Sequence, residues 1–274
     1  MRIPHALSGQ WRHEGEWLAR LPGLVEECAR DWGLTLEEPV DTPHSLVVPA
    51  GEVVLKINVP SHAEADREAD ALALWNGSGA VRLVARDDEH RALLLERCRP
   101  GTRLREDEAG ATAVVAELLP RLQVEAPSTH PFTLLADEAE RWAEEVPRWY
   151  EEAGRPFERS LLDAALDVYR TVDRSVEIVV NQDLHGGNVL RAEREPWLVI
   201  DPKPLVGERE VEASGLLRNA DSVARWLDLL SGLGFDRERA RGWGIAHNLA
   251  WAWDERRGWL ETHVEEARRI LTAR

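Results

Sequence analysis

The chain has 274 residues, 43% apolar and 31% charged, which suits a globular protein with a sizeable core and excludes a disordered or fibrous one. Fifty acidic against 34 basic residues give a net charge of −16; this argues against nucleic-acid binding, which needs a basic face, and suits a cationic small molecule. No apolar stretch approaches the ~18 residues of a membrane span, the first ten residues lack the apolar core of a secretion signal, and Cys28 and Cys98 make neither a disulfide framework nor a cysteine-based zinc site, so a cytoplasmic protein with no membrane partner is expected.

In chain order, Leu34 to Val40 predicts a short strand, and Ser45–Pro49 and Glu52–Val59 predict a hairpin around Ala50-Gly51. Glu64 to Trp75 places Ala65, Ala69, Leu72 and Trp75 on one helical face before the stop Asn76-Gly77-Ser78-Gly79. Val81–Ala85 and Arg91–Glu96 read as two more strands, and Pro100-Gly101 as a linker. Helices are predicted over Asp107–Leu122, Leu134–Tyr150 and Leu161–Val172. A β island follows at Val176–Val180, Val189-Leu190 and Trp197–Ile200. Helices over Leu216–Leu230, Arg237–Trp253 and Trp259–Leu271 close the chain. The expected architecture is α+β in two lobes: a small β-rich lobe over residues 1–97 and a larger helical lobe over residues 98–274. The twelve tryptophans are expected mainly as core residues.

The richest segment chemically is Asn181-Gln182-Asp183-Leu184-His185-Gly186-Gly187-Asn188, which follows a β-branched run. Thirteen residues past Asn188 comes Asp201, again at a strand end. Phosphoryl transfer needs this set: one carboxylate to orient or deprotonate a hydroxyl, and an amide oxygen with a second carboxylate to hold Mg²⁺ on nucleotide phosphates. Lysine occurs only twice, at Lys56 inside the apolar run Val53–Ile57 and at Lys203 beside Asp201. An ammonium in an apolar strand is costly to bury unless paired.

The spacing Asp-x-x-x-x-Asn, then strand and Asp, resembles the core of protein-kinase-like phosphotransferases. Asp-Leu-His-Gly-Gly-Asn is similar to the aminoglycoside phosphotransferase branch. Trp197 to Glu208, with Asp201-Pro202-Lys203-x-Leu205-Val206-Gly207-Glu208, resembles the streptomycin 6-phosphotransferase and hydroxyurea phosphotransferase family, a likeness that runs over roughly residues 35–260. The resemblance implies a protein-kinase-like fold and an ATP- and Mg²⁺-dependent kinase of a small hydroxyl compound, most simply a streptomycin kinase conferring antibiotic resistance. The alternatives are the same chemistry on hydroxyurea or an amino sugar, or a nucleotide-binding relative without catalysis. By the same resemblance Asp183 is the base and His185 approaches the transferred phosphate, while Asn188 and Asp201 hold magnesium. Lys56 holds nucleotide phosphates with Glu68 as partner and Glu64 as the alternative, and the backbone of Glu96 and Cys98 meets the adenine edge. Ser45 ends the turn Thr42-Pro43-His44-Ser45, which stands where kinases carry a glycine-rich loop. Lys203 is expected on phosphate or paired with Glu208, and Glu208, Glu212, Asp221 and Asp254 are candidates to receive the guanidinium groups of the acceptor. The chain departs from the family pattern in two places: Asn181-Gln182 replaces His-Gly before the catalytic Asp, and Pro204 replaces Gly after Lys203.

Overall fold

Two helices open the chain, α1 (His5–Gln10) and α2 (Gly15–Asp31), in a computed structural model that describes residues 1–105, 110–218 and 220–273. Neither helix is expected from the strand-led reading of this region. The signal for α2 is Leu21, Leu24, Val25 and Cys28, spaced i, i+3, i+4, i+7, and it outweighs the helix-opposing Pro22 in the interior. That stripe packs on Leu46, Val48, Leu55, Ile57 and Ala92 of the adjoining sheet. Leu21, Leu46, Leu55 and Ile57 are fully buried, each contributing roughly 1.5–3 kcal/mol of burial free energy.

The sheet has four antiparallel strands in the order β1-β2-β4-β3: β1 (Ser45–Ala50), β2 (Val53–Asn58), β3 (Leu83–Asp87) and β4 (Ala92–Glu96). The expected hairpin around Ala50-Gly51 is present, with Gly51 at φ +63°. Leu34–Val40 forms no strand: Val40 makes an isolated bridge to Val47, and Pro39 has no N–H to extend a ladder. The expected helix over 64–75 is a 3₁₀ turn (Ala63–Ala65) followed by α3 (Glu68–Trp75), which stops at Asn76 in the left-handed region.

These elements belong to one compact unit, residues 1–102 with 191–201; residues 103–190 with 202–274 form the other. The division falls after Thr102, not after Arg97, and takes residues 191–201 out of the expected helical lobe. Backbone pairing explains it: Val81 N–H donates to Val199 C=O at 3.0 Å, Val199 N–H to Gly79 C=O at 2.9 Å, and Arg194 bonds Glu96, Gly77 C=O and Ala80 C=O.

The second unit holds α4 (Ala111–Leu122), α5 (Leu135–Glu152), α6 (Arg159–Arg170), α7 (Ala213–Leu217), α8 (Val223–Gly232), α9 (Arg237–Trp251) and α10 (Glu261–Thr272). The expected start of α4 at Asp107 lies outside the described residues. Its small sheet, β5 (Val124–Glu125), β6 (Ile178–Asn181) and β7 (Pro204–Val206), is antiparallel with β6 central. The helix expected over 216–230 is broken into α7 and α8, because Arg218 turns extended and Ser222 caps α8 by accepting from Arg225 N–H at 3.3 Å. Of the twelve tryptophans expected mainly in the core, Trp75, Trp142, Trp226 and Trp243 are buried there, whereas the other eight are half-buried. Gly215 in α7 lies so close to the Leu184 backbone that a Cβ would sit 2.3 Å from the Leu184 oxygen. Only glycine lets α7 support the loop that follows β6.

Candidate active site

In the first unit β2 carries Lys56 inward and α3 presents Glu68 to it. Both Glu68 oxygens accept from Lys56 Nζ at 2.7 Å, and Asp201 Oδ1 accepts from the same nitrogen at 2.8 Å. Asn58, two residues on along β2, donates to Glu68 Oε2 at 3.2 Å. Glu68 has no exposed surface. Of the two partners weighed for Lys56 the structure pairs it with Glu68; Glu64 is exposed and sits 3.7 Å from His62. Burial alone would lower the Lys56 pKa, but Asp201 and Glu68 outweigh it and hold the ammonium above its ordinary value. Asp201 follows the strand Trp197–Val199 with φ +50°, a strained conformation for a residue with a side chain.

In the second unit β6 ends at Asn181, and the loop to Asn188 closes in a 3₁₀ turn. Asp183 is buried. Its Oδ2 accepts from Lys203 Nζ at 2.8 Å and from Asn188 Nδ2 at 3.3 Å. Its Oδ1 takes no hydrogen bond from any described residue, although Arg218 Nη1 lies at 3.6 Å and His185 Nε2 at 3.8 Å. A buried carboxylate oxygen without a donor is rare in a folded protein and retains the capacity to accept a hydrogen bond from a ligand. Asn188 also donates to the Asp183 carbonyl at 3.1 Å, so its amide nitrogen is committed and its oxygen is the atom suited to a metal. His185 Nδ1 accepts from Gly187 N–H at 3.0 Å, which caps the 3₁₀ turn and turns Nε2 toward Asp183.

Lys203 pairs with Asp183, not with Glu208. The four acids expected to meet a cationic acceptor are each otherwise engaged. Glu208 accepts from Asp173 N–H, Arg239 and Trp243 Nε1. Glu212 is fully buried, accepting from Asn181 N–H at 3.0 Å and from Gln123. Asp221 pairs with Arg225 one turn on, and Asp254 caps a tight turn through Arg256 N–H and Arg257 N–H. Glu96 accepts from Arg194 at 2.7 Å and from Arg82 N–H; these bonds outweigh its burial and lower its pKa. Burial first, and Glu96 second, push the Cys98 thiol up to about 11, so it is no nucleophile at neutral pH. Ser45 is buried at the start of β1, paired across to Asn58. Cys28, Asp87 and His90 also bring ligand-type atoms within 4.8 Å of one another. There His90 lies 2.6 Å from Asp87 and 3.5 Å from Glu27, and its bond to Asp87 raises its pKa, so the ring is already engaged with these carboxylates.

Burial pushes Glu212 up to about 8. An unfolded glutamate ionises near 4.5. Stability gained from the neutral form is therefore full below that value and lost as pH rises toward about 8. The wild-type Tm is expected to fall between pH 5 and pH 8, at up to about 1.4 kcal/mol per pH unit, and Glu212→Gln, whose amide can serve both Asn181 and Gln123, should flatten that fall. Parallel melting-temperature profiles for the two proteins would remove Glu212 as the cause.

Residues 36–258 match the aminoglycoside/hydroxyurea antibiotic resistance kinase family. The chain belongs to this family. It is 38% identical to a streptomycin 6-kinase of Streptomyces glaucescens, over 93% of this chain and 91% of that one. It is 39% identical to a hydroxyurea phosphotransferase of Kitasatospora aureofaciens, over 86% of this chain and 74% of that one. In structure it is similar to a choline kinase of Streptococcus pneumoniae, with TM-score 0.67 and 14% identity, covering 92% of this chain and 98% of that one. The fold is thus the protein-kinase-like α+β fold, and the protein is a phosphotransferase of the antibiotic resistance kinase family.

Against that family's pattern, Asn181 does by another route what loop support requires. Its Oδ1 accepts from Asp183 N–H at 3.2 Å and from Lys203 N–H at 3.0 Å, clasping the two stretches that carry the site. Sequence reading missed three residues here: Arg218 beside Asp183, His247 on α9, and Arg194, which ties Glu96 to the strand leading to Asp201. Nothing in their local sequence marks them, since arginine is the common basic residue and His247 sits in an ordinary helical run.

Proposed function

We propose that the protein is an ATP- and Mg²⁺-dependent kinase that phosphorylates a hydroxyl of streptomycin. The observation that carries the reading is 38% identity to a streptomycin 6-kinase along nearly the whole of both chains. The residues support it. Lys56, fixed by Glu68, is a cation suited to nucleotide phosphates; Asp183 Oδ1 is suited to accept a hydroxyl proton; Ser45, Glu96 and Cys98 remain candidates for the nucleotide. Asn188 and Asp201 offer the hard oxygen donors that Mg²⁺ prefers. The ion, when bound, neutralises phosphate charge. Among the described residues no helix is long and apolar enough to cross a membrane, and use of ATP suits the cytoplasm.

A second acceptor deserves a parallel test because Glu208, Glu212, Asp221 and Asp254 are already bonded within the fold. That favours a smaller hydroxyl compound such as hydroxyurea, whose phosphotransferase is 39% identical. Purified protein should release ADP with streptomycin and yield a product heavier by one phosphoryl group in mass spectra. Absence of that product with turnover on hydroxyurea would transfer the assignment; absence of both would remove it. Asn188→Ala and Asp201→Ala should both raise the Mg²⁺ needed for half-maximal rate. Asp201→Ala should raise it further, because it removes a full charge. Unchanged Mg²⁺ dependence in both would withdraw the metal assignment.

A further inference from the structure

Gln182 stands where the family pattern has glycine, immediately before the reacting aspartate, and its side chain is buried. A buried primary amide without partners costs roughly 1–3 kcal/mol, so its contacts indicate what it is for. Gln182 Oε1 meets His247 Nε2 at 3.1 Å. His247 has no exposed surface; Trp142 lies edge-on to its ring at 5.9 Å and Trp251 packs on it at 4.2 Å. The other ring nitrogen, Nδ1, faces Arg218 Nη2 at 3.4 Å. A guanidinium can only donate, so Nδ1 accepts and the ring proton sits on Nε2, where it donates to Gln182. Arg218 is also stacked over Trp251 at 4.9 Å, and its Nη1 reaches to 3.6 Å from Asp183 Oδ1. The contacts thus run without a break from the residue before the catalytic aspartate, through α9, and back to the aspartate itself.

We propose that Gln182 and His247 form a brace that sets the Arg218 guanidinium against Asp183 Oδ1, making all three positioning residues for the reacting carboxylate. This rests on the reading of Asp183 as the acceptor-side base. Lys203 fixes Oδ2 from one side. Arg218 fixes the rotation of the carboxylate from the other and leaves Oδ1 turned to the hydroxyl. Burial, and then Arg218, hold the His247 pKa well below its ordinary value, which keeps the ring neutral as the brace requires. His263 and Lys203 are the further cations or potential cations that face it, and they act in the same direction.

The test has an activity arm and a spectroscopic arm. Gln182→Gly and His247→Leu should each lower kcat by up to ~10²-fold, the scale of a misplaced reacting group, with KM for ATP near wild type. The double variant should be no worse than the poorer single one, because one brace is lost once. His247→Gln, which presents an oxygen to Arg218 and an N–H to Gln182, should recover most of the rate. Millimolar free guanidinium should partly restore Arg218→Ala. Additive losses, an equal rise in KM for ATP, or no recovery in His247→Gln would overturn the brace. Independently of any acceptor, NMR of ¹⁵N-histidine-labelled wild type should show His247 as the neutral Nε2–H tautomer at pH 7, perturbed in Gln182→Gly. An Nδ1–H tautomer or an imidazolium would overturn the brace even in an active kinase. Failure of every acceptor tested, with this signature intact, would instead count against the proposed function.

Discussion

Replacing Asp183 by asparagine is expected to lower kcat by ~10²–10⁴-fold while ATP still binds near its wild-type affinity. The substitution keeps the shape of the side chain and the Asn188 contacts but removes the charge that, in the proposed mechanism, orients and deprotonates the hydroxyl. The nucleotide-side cation, Lys56, belongs to the other compact unit and is untouched. The stability of the variant is a separate matter. Asp183 and Lys203 are 7% and 9% exposed and joined at 2.8 Å, so the neutral asparagine takes the Asp183 charge away from a buried ammonium. Breaking one side of such a pair costs about 3–5 kcal/mol. A lower Tm is therefore expected alongside the loss of rate. Asp183→Asn combined with Lys203→Met removes both charges; Tm should recover and kcat should not. Calorimetric ATP binding, thermal melts and turnover measured on the same samples separate the two effects. Turnover within a few-fold of wild type in the single variant would take Asp183 out of its role.

How much of this was legible in the sequence follows the range of each interaction. The loop Asp183–Asn188 was legible as a local cluster of polar side chains: carboxylate, capping histidine and amide lie within one turn of chain. Lys56 was legible because an ammonium in an apolar strand demands a counter-charge, and the next helix offered one. The hairpin at Ala50-Gly51 and the stop at Asn76 follow from local conformational preference. What stayed hidden depends on distant elements. Lys203 was assigned to phosphate or Glu208, yet it meets Asp183, twenty residues back across the β6–β7 pairing. Glu208 and Glu212 read as available acids, but they are consumed by Arg239 and Trp243 on α9 and by Gln123 after α4. Residues 191–201 read as part of the helical lobe, but the pairing of Val199 with Ala80 and the bonds of Arg194 to Glu96, Gly77 and Ala80 draw them to the first unit. The helix α2 was the exception: its apolar stripe is local and readable, but Pro22 and Gly23 obscure it.

The second large effect is expected at Lys56 and Glu68. Glu68 is fully buried and Lys56 nearly so, with two bonds of 2.7 Å between them. Lys56→Met leaves a fully buried carboxylate that keeps only the Asn58 bond and faces the like charge of Asp201. Glu68→Met leaves an ammonium that still has Asp201, a quarter exposed and so partly hydrated. Both single variants should lose about 3–5 kcal/mol, Lys56→Met the more, because its orphaned charge is the deeper one. The double variant Lys56→Met/Glu68→Met replaces a buried ion pair by apolar chains of similar size, an exchange that is often neutral or stabilising. Its Tm should return toward wild type, so the coupling energy from the cycle should be large and favourable. ATP use should not return if Lys56 has its proposed phosphate role, since β2 then carries no cation and the Lys56–Asp201 bond is gone. A folded double variant with near-normal KM for ATP would show that Lys56 is a structural ion-pair member only. Additive stability losses would show that the two charges do not act as a pair. A stable, nucleotide-deficient double variant separates what this pair does for the fold from what Lys56 does for the reaction.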